Sequence, residues 1–275
     1  MIKTTLLILS LFAVQLIYAQ SIDGYLRERY KFDACANSTD IVETLTHYSK
    51  TGPTTTVEYR NYDTLMNLLS LKRFDDKNKL IFLVLIYYDS LNRHVRKETK
   101  KWVNIIGYQS NYSVRQNDTA KNFVQTEYND KYQMLNISKY YFDRDTNLIR
   151  LEAFAGNGKL IGYETGVYDF DNNLLTLNHY NSQSVLLNSH DRPIRYGGKF
   201  QQDPTNEYNE HGDLVYYKRD WHENDIVCYT MKYKYDKQLN WISEKIYQHI
   251  ISEKGKLKGK KINMVRTRKI QYIHE

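Results

Sequence analysis

The sequence predicts an all-β protein: an antiparallel meander of β-hairpin repeats forming an extended, curved or spiralling sheet. Three observations carry this. Short segments alternate in polarity, as in Met231-Lys232-Tyr233-Lys234-Tyr235, where Met and Tyr share one face and Lys the other. The segments are separated by a recurring turn: an aromatic, then Asp or Asn, two or three turn residues, and Asn or Gly. The chain holds 26 Tyr against 9 Phe and 3 Pro. Tyr suits half-buried strand faces, where the ring packs and the hydroxyl reaches water.

Three copies of the turn have the longer form: Tyr62-Asp63 to Asn67, Phe142-Asp143 to Asn147, and Tyr235-Asp236 to Asn240. Three have a shorter form: Phe74-Asp75 to Asn78, Tyr88-Asp89 to Asn92, and Tyr208-Asn209 to Gly212. Asp or Asn opening a turn accepts hydrogen bonds from backbone N–H groups two residues on. Asn or Gly near the end tolerates the positive φ that many hairpin turns require. A unit this short buries no face alone and needs its neighbours.

Domain organisation follows. Residues 1–19 read as a signal peptide: one positive charge at Lys3, an apolar run from Leu6 to Ile17, and a cut after the small Ala19. The run is too short to span a membrane, and no Cys follows the cut to take a lipid. Residues 20–56 read as an irregular N-terminal segment, with Thr51-Gly52-Pro53 and a Thr run as a loop. Residues 57–275 form the β-repeat domain. Within it, residues 96–127 lack the repeat turn and open on a basic cluster before Trp102, consistent with longer strands or a short helix.

The net charge of +7 is a mild basic bias, compatible with anionic polysaccharide, lipid headgroups or simply a solvated surface. Export argues against nucleic acid as partner. The dense stretch from Lys254 to Lys261 is interrupted by two Gly and reads as an exposed turn. Cys35 and Cys228 are the only cysteines: in an oxidising compartment they pair, or they stand as two separate buried thiols.

The repeat resembles the Tyr-Asp repeats of bacterial Rhs-type proteins, and small secreted bacterial proteins built from the same unit. The likeness is densest at Tyr233-Lys234-Tyr235-Asp236-Lys237-Gln238-Leu239-Asn240-Trp241 and in the closing segment Arg266 to Tyr272. It implies an antiparallel repeat sheet. Large Rhs proteins form toxin-enclosing shells. This chain has neither the length for a shell nor a self-cleaving core segment.

Motifs of chemistry are sparse. The eight His show no helical metal-site spacing, and neither a nucleophile elbow nor a Gly-rich phosphate loop is present. No cofactor is expected. The densest polar cluster is Asp220-Trp221-His222-Glu223-Asn224-Asp225. It reads as a polar hairpin loop, or as a ligand site in which Trp221 stacks on a sugar beside His222, with Tyr216 and Tyr217 on the strand leading in. The favoured function is a non-catalytic binding or structural scaffold at the bacterial cell envelope, its partner a glycan or envelope protein. The alternatives are a glycan hydrolase with carboxylates from distant strands and an outer-membrane barrel, against which Lys and Glu on both strand faces argue.

Overall fold

The structure, a computed structural model, describes residues 21–31, 38–104, 106–118, 121–194, 206–221, 225–251 and 257–273. The expected signal peptide and Cys35 lie outside them. The fold is all-β and an antiparallel meander, as the sequence predicts; one helix and seventeen strands are assigned among the described residues.

The turns explain the repeat and revise it. In the longer form, the Asp63 N–H donates to the Asn67 carbonyl at 3.0 Å and the Met66 N–H to the Asp63 carbonyl at 3.0 Å. Asp63 Oδ1 accepts from the N–H groups of Leu65 (2.9 Å) and Asn67 (2.8 Å). The shorter form is the same turn: Asp75 and Lys79 close it at 3.0 Å, and Asp75 Oδ1 accepts from Lys77 and Lys79. The two forms differ only in where the Asn stands. Asn78 occupies the left-handed position, at φ 58°, whereas in the longer form Met66, Thr146 and Leu239 occupy it, at φ 68°, 69° and 61°. The Asn of the longer form therefore does not supply positive φ. Asn67 and Asn147 instead donate from Nδ2 to the opening Asp, each at 2.9 Å. This third hydrogen bond to the carboxylate offsets the strain of a side chain at positive φ.

Two compact units form, one from Met1–Asp33, Ile86–Glu98 and Ser110–Gln201, the other from Ala34–Leu85, Thr99–Gln109 and Gln202–Glu275. In the second, strands β1 (Ser38–Ser49), β2 (Gly52–Tyr62), β3 (Leu68–Phe74) and β4 (Leu80–Tyr88) pair in sequence. The unit also takes in the end of β5 (His94–Val103) and the start of β6 (Gly107–Asn117), and beyond residue 201 it holds the two-residue β13 (Glu207–Tyr208) and four closing strands that pair in sequence. The last of them runs Leu257–Tyr272 and pairs with β1 from Ser38↔Tyr272 to His47↔Met264. The N-terminal and C-terminal strands thus join one ladder. The described residues of 20–56 are not irregular: they hold a helix, β1 and part of β2, and β1 is bonded on both sides. The lysines from Lys258 to Lys261 stand on the last strand rather than in a turn, with Gly259 at φ 66°.

The first unit is a meander of the paired part of β6 with β7 (Phe123–Asn129), β8 (Met134–Phe142), β9 (Leu148–Ala155), β10 (Leu160–Asp169), β11 (Leu174–Asn181) and β12 (Leu186–Pro193). Helix α1 (Ile22–Lys31) lies on one face of it. Ser21 caps α1, its Oγ accepting the Gly24 N–H at 2.8 Å. Ile22, fully buried, packs with Phe123, Tyr140, Leu148, Leu151 and Leu177. The Tyr25 ring sits 5.4 Å from Tyr140 and 5.9 Å from Phe142. At Gly166 a Cβ would stand 3.5 Å from Ile22 Cδ1 and 3.1 Å from the Leu148 carbonyl, so the missing side chain lets the helix approach the sheet.

Candidate functional site

The predicted loop joins β14 (Leu214–Trp221) to β15 (Asp225–Tyr235). Trp221 ends β14, paired with Asp225. His222 lies outside the described residues, as do the side chains from Arg219 to Ile226. Tyr216 and Tyr217 are adjacent on one strand and so face opposite sides of the sheet. Tyr217 stacks on Tyr229 at 4.8 Å and 15°. Tyr216 lies on the other side, hydrogen-bonded to Cys228. Tyr216 and Tyr217 therefore do not share one surface. Cys228 is a free, buried thiol whose Sγ reaches the His249 carbonyl at 3.9 Å. Burial raises its pKa, opposite to the shift that activates a nucleophilic thiolate.

What the sheet does assemble is tyrosine. Tyr112 stands directly opposite Tyr128, stacked at 4.9 Å and 11°. Tyr163 stands opposite Tyr180 at 4.7 Å and 14°. Guanidinium groups lie over these pairs, Arg96 4.8 Å from the Tyr112 ring and Arg150 4.0 Å from the Tyr163 ring. Arg150 Nε is held by Glu152 Oε1 at 2.9 Å, and Tyr141 donates its hydroxyl to Glu152 Oε2 at 3.1 Å. Tyr132 meets Tyr112 edge-on at 5.7 Å and is 76% exposed. Direct cross-strand stacking fixes the rings before any partner arrives.

The second unit buries charge. Glu43 on β1 stands opposite Glu58 on β2 and opposite Arg268 on β17, the strand Leu257–Tyr272. Glu43 Oε2 accepts from Arg268 Nε at 2.8 Å and Arg60 at 3.4 Å. Glu58 binds Arg60 Nε at 2.6 Å and Arg73 Nε at 2.8 Å. Glu244, on β16 (Trp241–Ile251), holds Arg266 and accepts the Tyr233 hydroxyl at 2.8 Å. Arg268 lies 3.4 Å from the Trp241 ring centroid. Burial pushes the Glu43 carboxyl up, but Arg268, Arg60 and Arg266 outweigh it and hold the carboxyl below its ordinary value. Such a carboxylate carries no proton to give at neutral pH, which is what a glycosidase acid must do.

One carboxyl behaves otherwise. Glu164 on β10 accepts the Ile22 N–H at the start of α1 at 2.6 Å, and His179 Nδ1 lies 2.9 Å from its other oxygen. Burial pushes its pKa up to about 7, the Ile22 N–H opposes this, and Asp23 adds to it. His179, stacked on His190 at 5.2 Å, is pushed down by burial and then by His190. Because folded Glu164 keeps its proton where the unfolded side chain, near 4.5, loses it, its contribution to stability is full below that value. It is lost as pH rises through about 7. Glu164→Gln is expected to be more stable than the parent at pH 8 by about 2 kcal/mol. Its urea midpoint should show a smaller decline between pH 4.5 and 7. The fall of stability below pH 6.5 that His179 contributes should persist in the variant. Identical midpoint profiles for the two proteins would sink this.

Among the described residues no cluster of three metal-ligating side chains occurs. No family model and no curated protein matches the sequence. The structure is similar to a porin-like protein from Bacteroides uniformis at TM-score 0.45 and 10% identity, covering 86% of this chain and 99% of that one. It is also similar to the Photorhabdus luminescens Tc holotoxin pore at TM-score 0.21 and 11% identity, covering 78% of this chain and 15% of that one. A TcdB2–TccC3 structure matches over the same shares at TM-score 0.16. The chain thus spans a small part of the Tc proteins it matches. Reading motif by motif missed the buried ion network. Its signal is in the sequence as Glu58-x-Arg60 and Arg266-x-Arg268, like-facing charges two apart on strands.

Proposed function

We propose that this protein is a non-catalytic binding or structural scaffold of the bacterial cell envelope, exported through a signal cleaved near Ala19. It takes a glycan or an envelope protein as partner. The supporting observation is the pair of pre-stacked tyrosine couples, Tyr112–Tyr128 and Tyr163–Tyr180, each carrying an arginine. Flat rings with a polar edge suit the C–H face of a sugar and serve equally as protein anchors. Rings already ordered lose little entropy on binding. The hydrolase reading draws no support from Glu43, Glu58 and Glu244, whose arginines neutralise them.

The test is binding of the secreted protein to a glycan array and to a cell-envelope fraction. Substituting Tyr163→Ser and Tyr180→Ser together is expected to weaken retention about tenfold while secondary structure by circular dichroism stays unchanged. A parent protein retained by neither would end the proposal, and release of reducing sugar from a bound glycan would replace it with the hydrolase.

A further inference from the structure

The basic cluster before Trp102 acquires a role in the fold. β5 and β6 are neighbours in the sheet, and Gly107, which opens β6, stands at φ 91°. Across this hairpin Trp102 and Tyr108 meet edge-on at 5.0 Å. The Trp102 indole N–H donates to Asn104 Oδ1 at 3.1 Å, and the Tyr108 hydroxyl donates to the Leu80 carbonyl at 2.8 Å, which ties the hairpin to the β3–β4 turn. That turn brings Lys79 onto the Trp102 ring, and Lys100 lies 4.5 Å from the Tyr108 ring centroid. Tyr108 is 41% exposed. Among the described residues, the other buried or half-buried arginines of this unit, Arg60, Arg73, Arg266 and Arg268, each have a carboxylate. Among the described residues neither Lys79 nor Lys100 has one: each ammonium is positioned by a ring instead.

A ring quadrupole holds an ammonium in place without using its N–H donors or cancelling its charge. Two such groups flanking an aromatic corner present positive charge and donors beside flat apolar surface. A neutral sugar would use the rings alone, and a small anion the ammonium groups alone. An acidic sugar polymer uses both, its ring C–H face on the aromatic surface and its carboxylates on the lysines.

We propose that the Lys79–Trp102–Tyr108–Lys100 corner is a binding site for acidic, uronate-bearing polysaccharide. It rests on the binding reading above and adds a ligand class and a place distinct from the tyrosine couples.

Affinity electrophoresis of the full chain tests it, in gels carrying polygalacturonate or neutral dextran. The parent is expected to be retarded by polygalacturonate and not by dextran, with retardation lost at about 0.5 M salt as screening takes hold. Trp102→Ala, and Lys79→Gln with Lys100→Gln, are each expected to weaken retardation about tenfold. Trp102→Phe, which keeps a ring under Lys79, should restore part of it, and Tyr163→Ser should leave it intact. Circular dichroism shows which variants are folded; if Trp102→Ala is not, the lysine pair decides. Retardation unchanged in the lysine pair overturns the proposal, as does a parent that ignores polygalacturonate. Lysine-dependent binding to phosphatidylglycerol vesicles in place of the polymer would also overturn it. Retardation lost only in Tyr163→Ser would move the ligand to the tyrosine couples, refuting this corner while sustaining the binding function.

Discussion

Glu43→Ala is expected to cost about 3–5 kcal/mol. In a chain of this size that is a fall of about 10 °C in melting temperature. Glu43 is 8% exposed and has Arg268, Arg60 and Arg266 around it. Removing the carboxylate leaves three guanidinium groups with one fewer counter-charge, where water cannot replace it. Glu58 and Glu244 remain, but each is already engaged with its own arginine. The cost is therefore that of an uncompensated buried charge, not of one hydrogen bond. The double variant Glu43→Ala/Arg268→Ala removes one charge of each sign, so its loss should be well below the sum of the two single losses. Thermal unfolding of the four proteins completes the cycle. Strict additivity would show that Glu43 and Arg268 do not act as a pair.

Ile22→Ala should cost about 2–5 kcal/mol. The side chain is fully buried at the first turn of α1, among Leu148, Leu151 and Leu177. The neighbouring sheet is bonded on both edges at β9 and β10, so it has little freedom to close over the cavity. The loss should appear as a lower urea midpoint with little change in slope. Hydrogen exchange should quicken at the amides of α1, which the Ile22 side chain helps to seat on the sheet. A variant within about 0.5 kcal/mol of the parent would mean that Ile22 does not hold the helix to the sheet. The expected cut after Ala19 would leave this residue third in the exported chain, so the helix would begin the mature protein already docked.

Reading from the sequence succeeded where the physics is local. An Asp followed two and four residues later by backbone N–H groups closes its own turn, and the strands between such turns follow as a meander. Even there the long and short turns proved to be one, because Asn at the last position works through its side chain while Asn one place earlier works through its backbone. The predicted site fared differently. Tyr216 and Tyr217 are neighbours in sequence and opposed in space, a consequence of the two-residue period of a strand. The stacked couples bring together residues 16 or 17 apart in register, legible only once the pairing is known.

By itself the sequence determined the class of fold, the turn chemistry and the placing of tyrosines on strands, since each is a matter of residues within about one hairpin of one another. Only the tertiary structure decided that β1 pairs with the last strand, that α1 lies on the sheet, and that Glu43 meets Arg268, 225 residues away. A turn is specified by hydrogen bonds between neighbours. A buried ion network is specified by which strands exclude water together, and that depends on every register along the chain at once.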